Sequence, residues 1–206
     1  MLGDLGAYLP PKRLAFLCAG SDLRKVLRSA LAFTGTDQSQ PHLCQVLFDS
    51  DGQELRIVAT DGASLYVGTL PTLDDELAAG QHRISAACAS RVVDAIKPKD
   101  TTRLWFDAGS NSLSRAGGLA WSVELFQGSA EFPPYRHLVP ARPGLEPGQS
   151  EYQGTRLDAA MRALCAGPAH MIGYGVDTPV KLIGETVEGA WAAVLLAPQR
   201  VATRRS

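Results

Sequence analysis

The sequence predicts an α+β fold, with antiparallel sheets carrying helices on one face and built from a repeated unit of one strand, one helix and about three strands. Three observations carry this. Amphipathic helical stretches recur at Ser21–Phe33, Ala86–Ile96 and Arg156–Ala166. Each is followed by short β-like runs, several of them separated by glycine-containing turns such as Asp-Gly and Gly-Gly. The strands come in runs after each helix, which fits helices layered on an antiparallel sheet. The units share this layout with little residue identity.

In the first unit, Leu23, Val26, Leu27, Ala30 and Leu31 recur at helical spacing and form the expected buried stripe. Ser21 or Asp22 is the expected N-cap, and Arg24, Lys25 and Arg28 lie on the other side. Strands are expected over His42–Phe48, Glu54–Ala59 and Ser64–Leu70, with turns at Asp49–Gly52 and Asp61-Gly62. The second unit opens with a strand at Arg83–Ser85. Its helix turns Val92, Val93 and Ile96 inward, leaves Arg91, Lys97 and Lys99 outside, and is stopped by Pro98. Strands follow at Arg103–Asp107, Ser112–Arg115 and Ala120–Phe126, then a Pro- and aromatic-rich exit over Gln127–Pro140. Ala141–Ser150 reads as a linker. In the third unit Tyr152 starts a strand, and Leu157, Ala160, Met161 and Leu164 face inward with Arg162 and Arg156 outward. Strands complete the unit at Pro179–Gly184 and Trp191–Leu196.

Composition narrows the function classes. The 206 residues are 45% hydrophobic, ample for a packed core, and the net charge of −1 means that any basic surface is local. No run of about 18 apolar residues suggests a membrane span. The N-terminus does not read as a signal peptide, so the cytoplasm is the expected compartment. Cys18, Cys44, Cys88 and Cys165 are far apart and are expected to be buried free thiols. Among His42, His82, His137 and His170, only His42 lies near a cysteine, without zinc-type spacing, so neither a metal nor a cofactor is assigned. Asp37, Asp49, Asp51 and Asp61 fall at turn positions, which explains them without Mg²⁺. No nucleophile elbow is present, and no catalytic residue is assigned. A solvated face is the simplest reading of any one basic helix. Three such helices in a chain with no net positive charge point instead to a basic lining for a phosphate backbone.

With these segments in place, the chain resembles the bacterial DNA polymerase III β subunit family, the sliding clamps. From about Phe16 to Pro140 it resembles the middle domain. ELRIVATDGASLYVG is similar to the family's strand-turn-strand segment, in which a bulky basic pair usually follows ATDG. GSAEFPPYRHLVP is similar to its exit segment, and VLLAPQRV to its C-terminal strand and tail. The resemblance implies a sliding-clamp fold divided into an N-terminal extension (1–13), a middle-domain-like region (14–140), a linker (141–150) and a partial C-terminal-like region (151–206). The family has three domains of two units each. A first domain and half of the third have no counterpart in this reading.

The resemblance further implies a non-catalytic replication processivity factor. Duplex DNA would be met through its phosphates by Arg24, Lys25, Arg28, Arg91, Lys97, Arg156 and Arg162. Peptides of polymerases and clamp loaders would dock in a groove of Leu43, Thr60, Gly62, Leu65, Pro140, Leu195, Ala197, Pro198, Gln199 and Arg200. Ala63-Ser64 replaces the basic pair, and Ala197 and Gln199 stand where methionines are usual, implying weakened binding or a different peptide preference. The alternative is an interaction module that binds a clamp, loader or polymerase without encircling DNA. The partial layout implies a homo-oligomer or association with a full-length clamp, since a half-domain leaves a sheet edge unpaired.

Overall fold

The computed structural model describes residues 14–74, 77–107, 112–116, 122–124, 131–137, 152, 154–164, 166–173 and 179–198. The first unit contains β1 (Ala15–Ala19), α1 (Gly20–Leu31), β2 (Gln45–Ser50), β3 (Leu55–Thr60) and β4 (Ser64–Leu70). The second contains β5 (Gly80–Ser85), α2 (Ala86–Ala95), β6 (Thr101–Asp107), β7 (Ser112–Ala116) and β8 (Ser122–Glu124). The third contains α3 (Gly154–Ala163), β9 (His170–Ile172), β10 (Val180–Val187) and β11 (Ala190–Leu196).

All strand pairs are antiparallel. One sheet has the order β1-β6-β7-β8 and the other β5-β2-β3-β4-β11-β10-β9. The first two units therefore exchange their leading strands: β1 pairs with β6 of the second unit, and β5 pairs with β2 of the first. Burial along the strands alternates between two faces, as the period of two requires. Val46, Phe48, Ile57, Ala59, Tyr66 and Val194 point into the main core, whereas Leu47, Val58, Leu65, Val67 and Leu195 form a smaller cluster on the opposite face. Phe16, Phe48 and Phe106 join the two sheets inside the main core, with Phe48 and Phe106 edge to face at 5.0 Å. The helices share that core, and α1 touches both α2 and α3.

The third unit is joined to the first through β11, whose Leu195 lies opposite Leu65 of β4 and whose Ala192 lies opposite Gly68. Tyr66 reinforces the seam: its ring stacks on Phe33 at 5.7 Å and its hydroxyl meets Thr186 Oγ1 at 2.9 Å. The phenol runs over Gly68, where any side chain would collide with it. The core of the third unit is thereby continuous with that of the first. The open sheet edge expected from the sequence is consequently not at β11, which is paired on both sides.

Several local expectations are corrected. α1 starts without a side-chain cap; Ser21 instead bonds Asp22, and the Gly20 N–H donates to the Asp100 carbonyl at 2.7 Å. Asp49 and Ser50 belong to β2, so the hairpin turn is shorter than Asp49–Gly52. Asp51 accepts from the Glu54 and Gln53 N–H groups, which with Arg56 hold its carboxyl down at about 2. His42–Cys44 is turn, Tyr152 is not in a strand, and the sequence reading missed β9. Leu31 and Leu157 are only half-buried, and Met161, expected inward, is 48% exposed. Cys18, Cys44 and Cys88 are free as expected, but only Cys18 is buried, and burial pushes its thiol up to about 12; Cys44 and Cys88 are half-buried. Cys165 lies outside the described residues. No helix among the described residues is long and apolar enough to cross a membrane.

His82 on β5 stacks on Phe106 at 4.4 Å, and burial lowers its pKa. The folded state thus disfavours the imidazolium. Its contribution is complete above the unfolded value of about 6.5 and is lost as pH falls through the folded value. Thermal melts should show stability declining as pH falls below about 6.5, with a shallower decline in His82→Phe. Equal slopes in the two proteins would exclude His82 as the cause.

Candidate partner groove and basic helix face

The turn between β3 and β4 is built by Asp61. Its Oδ1 accepts from the N–H groups of Ala63 and Ser64 at 2.9 and 2.6 Å and from the Ser64 hydroxyl at 2.8 Å. Thr60 Oγ1 donates to the Ser64 carbonyl at 2.7 Å and accepts from the Gly62 N–H at 3.1 Å. Gly62 has φ +87°, the left-handed region in which glycine costs least. The carboxylate is thus committed to the turn and to Arg156 of α3, whose guanidinium lies 3.2 Å from Asp61 Oδ2.

Beside this turn a cleft of ≈ 150 Å³ is lined by Thr60, Gly62, Ala63, Ser64, Leu65, Pro179, Leu195 and Ala197. Five predicted groove residues therefore meet: Thr60, Gly62, Leu65, Leu195 and Ala197. Leu43 lies just behind, its Cδ1 3.3 Å from where a Cβ on Gly62 would stand. Pro198 follows Ala197 and is half-buried. Pro140, Gln199 and Arg200 lie outside the described residues. Sequence reasoning missed Pro179, a strand-flanking proline on the third unit with no local signal of its role, and included Ala63 and Ser64 only as substitutions. The Ala197 N–H donates to the Ala63 carbonyl at 2.8 Å, closing the cleft between the two units. Its volume is below the roughly 300–1,000 Å³ of a ligand pocket, so it accommodates one side chain of an extended segment.

The cleft opens on the outer face of the seven-stranded sheet, where Leu65 and Leu195 join the cluster with Tyr135. Tyr135 belongs to the exit segment and donates to buried Asp49 at 2.5 Å; Arg136 pairs with the same carboxylate at 2.8 Å. Burial and the carboxylate both hold the Tyr135 phenol above its ordinary pKa. This clamp fixes Phe132–Arg136 along the sheet beside the cleft.

The predicted DNA contacts lie on the helices, except Lys97, which follows the end of α2. Lys25, Arg28, Arg91, Lys97 and Arg162 are exposed. Arg28 and Arg162 come together at a cleft of ≈ 330 Å³ between α1 and α3, floored by Ala32, Ala159 and Ala163. Arg162 also pairs with Asp158 one turn away. Two residues are diverted. Arg24 donates to the carbonyls of Val93 and Ile96, satisfying acceptors at the C-terminal end of α2. Arg156, read as facing out, turns to Asp61. Each is spent on a neighbouring element that needs a donor.

Asp61→Ala removes the acceptor of two backbone N–H groups and should destabilise the protein by about 1–3 kcal/mol in urea unfolding. Asp61→Asn, which keeps an acceptor oxygen, should recover most of the loss. An unchanged midpoint in Asp61→Ala would show that the turn does not depend on this carboxylate.

No protein-family model matches the sequence, and no curated protein matches it. Solved structures do. The β clamp of Helicobacter pylori, in complex with diflunisal, superposes with a TM-score of 0.70 at 11% identity, over 94% of this chain and 68% of that one. The sliding clamp of Pseudomonas aeruginosa bound to griselimycin gives 0.68 at 16% identity, over 95% and 68%. That of Bacillus subtilis gives 0.67 at 12% identity, over 96% and 68%. The chain has the fold of the bacterial DNA polymerase III β subunit sliding clamps, over about two thirds of the length of those proteins.

Proposed function

We propose that the protein is a non-catalytic, clamp-like accessory of DNA replication that meets duplex DNA through its helix face and partner peptides through the β4–β11 cleft. In this reading residues 14–140 act as a middle domain and 151–206 as a partial C-terminal domain. The observation that carries it is the division of chemistry between two faces: exposed cations on the helix side, an apolar cleft on the outer side of the sheet. Contacts to phosphates carry little sequence information and let a protein slide. Arg24 and Arg156 are excluded from the DNA-facing set because their guanidinium groups serve α2 and the Asp61 turn. A surface of five cations in a chain of net charge −1 should bind weakly and with a steep salt dependence.

The test is duplex affinity against salt for the native chain and for a Lys25→Ala, Arg28→Ala, Arg162→Ala variant. The slope of log K against log salt should fall by about 1 per phosphate contact removed, equally on unrelated sequences. An unchanged slope would show these side chains to be only solvated. Retention on circular but not linear DNA would establish encirclement, and equal loss from both would overturn it.

For the cleft, Ala197→Arg places a long side chain at an exposed mouth position without disturbing the core. It should weaken binding of an extended apolar peptide from a replicative polymerase tail at least about 10-fold, or 1.4 kcal/mol. Unchanged affinity by calorimetry would place the peptide elsewhere.

A further inference from the structure

A second hollow lies on the outer face of the large sheet, further along β4 and β11 from the cleft. It measures ≈ 310 Å³, and its floor is Val67 of β4 and Ala193 of β11, which face one another across the ladder. Its walls are Arg56 of β3, Lys181 of β10 and Trp191 of β11, with Tyr135 and Arg136 from the exit segment. The size is at the lower end of the roughly 300–1,000 Å³ of a ligand pocket and suits one large side chain.

Two features set its chemistry. Trp191 is 39% exposed and offers an apolar ring beside Val67 and Ala193, its indole N–H donating to Glu54 at 3.5 Å. Among the described residues that line the hollow, every charged one is a cation. The carboxylates Asp51 and Glu54 hold the Arg56 guanidinium at 2.7 and 2.8 Å, and buried Asp49 holds that of Arg136 at 2.8 Å. Both guanidinium groups are thus fixed before a ligand arrives, so little side-chain freedom is lost in using them. The same carboxylates offset much of the guanidinium charge, which leaves Lys181 as the group that decides a preference for an anion.

The hollow is in register with the cleft. Ala63 meets Ala197 at the cleft and Val67 meets Ala193 at the hollow, four residues along both strands. An even number of residues keeps the same face of the sheet. An extended peptide returns its side chains to one face in the same way, and four of its residues span about 13 Å at about 3.3 Å each. Lys181, opposite Leu195, lies between the two sites. We propose that the hollow is a charge-reading subsite for the partner peptide of the cleft: with an apolar side chain anchored in the cleft, an acidic side chain four residues away lies between Lys181 and Trp191. Glutamate suits both walls, its methylenes against the indole and its carboxylate at the ammonium. The cleft holds a single side chain, so a second contact supplies selectivity that it lacks. A nucleic-acid strand would meet the same cations, but the hollow is the size of one side chain and in register with an apolar site, which favours the peptide. This subsite rests on the cleft reading proposed above.

The experiment is calorimetry of the full native chain with an extended apolar polymerase-tail peptide carrying Glu, Gln or Lys four residues before, or four residues after, its anchor. On one of the two sides Glu should bind about 5-fold more tightly than Gln, the upper end for one exposed ion pair, and Lys more weakly than Gln. Added salt should shrink the gain. Lys181→Gln should remove most of it, and Lys181→Glu should reverse the order of Glu and Lys. The Gln peptide should bind all three proteins equally, which reports an intact cleft. Equal binding of the Glu, Gln and Lys peptides on both sides overturns the subsite and leaves the cleft standing. A gain unchanged in Lys181→Gln also overturns it. Binding of none of the peptides overturns the cleft reading and the subsite together. Binding of a single-stranded dT oligonucleotide that Lys181→Glu abolishes, without discrimination among the peptides, assigns the hollow to nucleic acid and overturns the proposal.

Discussion

The ladder between β4 and β11 is the interaction on which the rest depends. It converts two chain segments distant in sequence into one continuous sheet, and it aligns Leu195 with Leu65 and Ala197 with Ala63. Without it, the outer cleft would have one wall and the third unit would lose its main attachment to the first. Backbone pairing fixes direction and register; Tyr66, reaching from β4 over Gly68 to Thr186, fixes the same seam from inside. A side chain at Gly68 would exclude that ring, which makes a residue with no side chain part of the joint.

The sheet also separates two kinds of chemistry. Alternation along β4 sends Tyr66 toward the helices and Leu65 with Val67 outward. A shift of one residue in the β4–β11 register would exchange these faces and dismantle both clusters. Charge is managed in the same local way. Asp49 anchors the exit segment, Asp61 shapes the turn, Arg24 closes the end of α2 and Arg156 ties α3 to the turn. Each of these ionic groups has a structural partner, and the predicted DNA-facing cations left exposed are Lys25, Arg28, Arg91 and Arg162 on the helices and Lys97 just beyond α2, with Arg162 shared with Asp158.

Much of the fold was legible because it is encoded locally. The buried stripe Leu23, Val26, Leu27 and Ala30, the inward Val92, Val93 and Ile96, and the bounds of β4 follow from periodicity and turn residues. The groove was legible in part: Thr60, Gly62, Leu65, Leu195 and Ala197 meet as the family resemblance implied. Its remaining wall, Pro179, was not, since a proline before a strand carries no sign of which distant turn it will face. β9 was missed because three residues are too few to show a period. Met161 was misplaced because helical spacing identifies an apolar flank and cannot say whether a layer covers it.

The sequence by itself determined the repeated strand-helix-strands units, the inward face of each element and the turn at Asp61-Gly62, because these depend on residues within a few positions of one another. Only the tertiary structure decided that β1 and β5 change places, that β11 lies on β4, and that Arg24 and Arg156 serve as structural donors while Lys25 and Arg28 stay exposed. Those outcomes depend on which backbone and charged groups are left unpaired when distant segments meet, and neither periodicity nor composition carries that information.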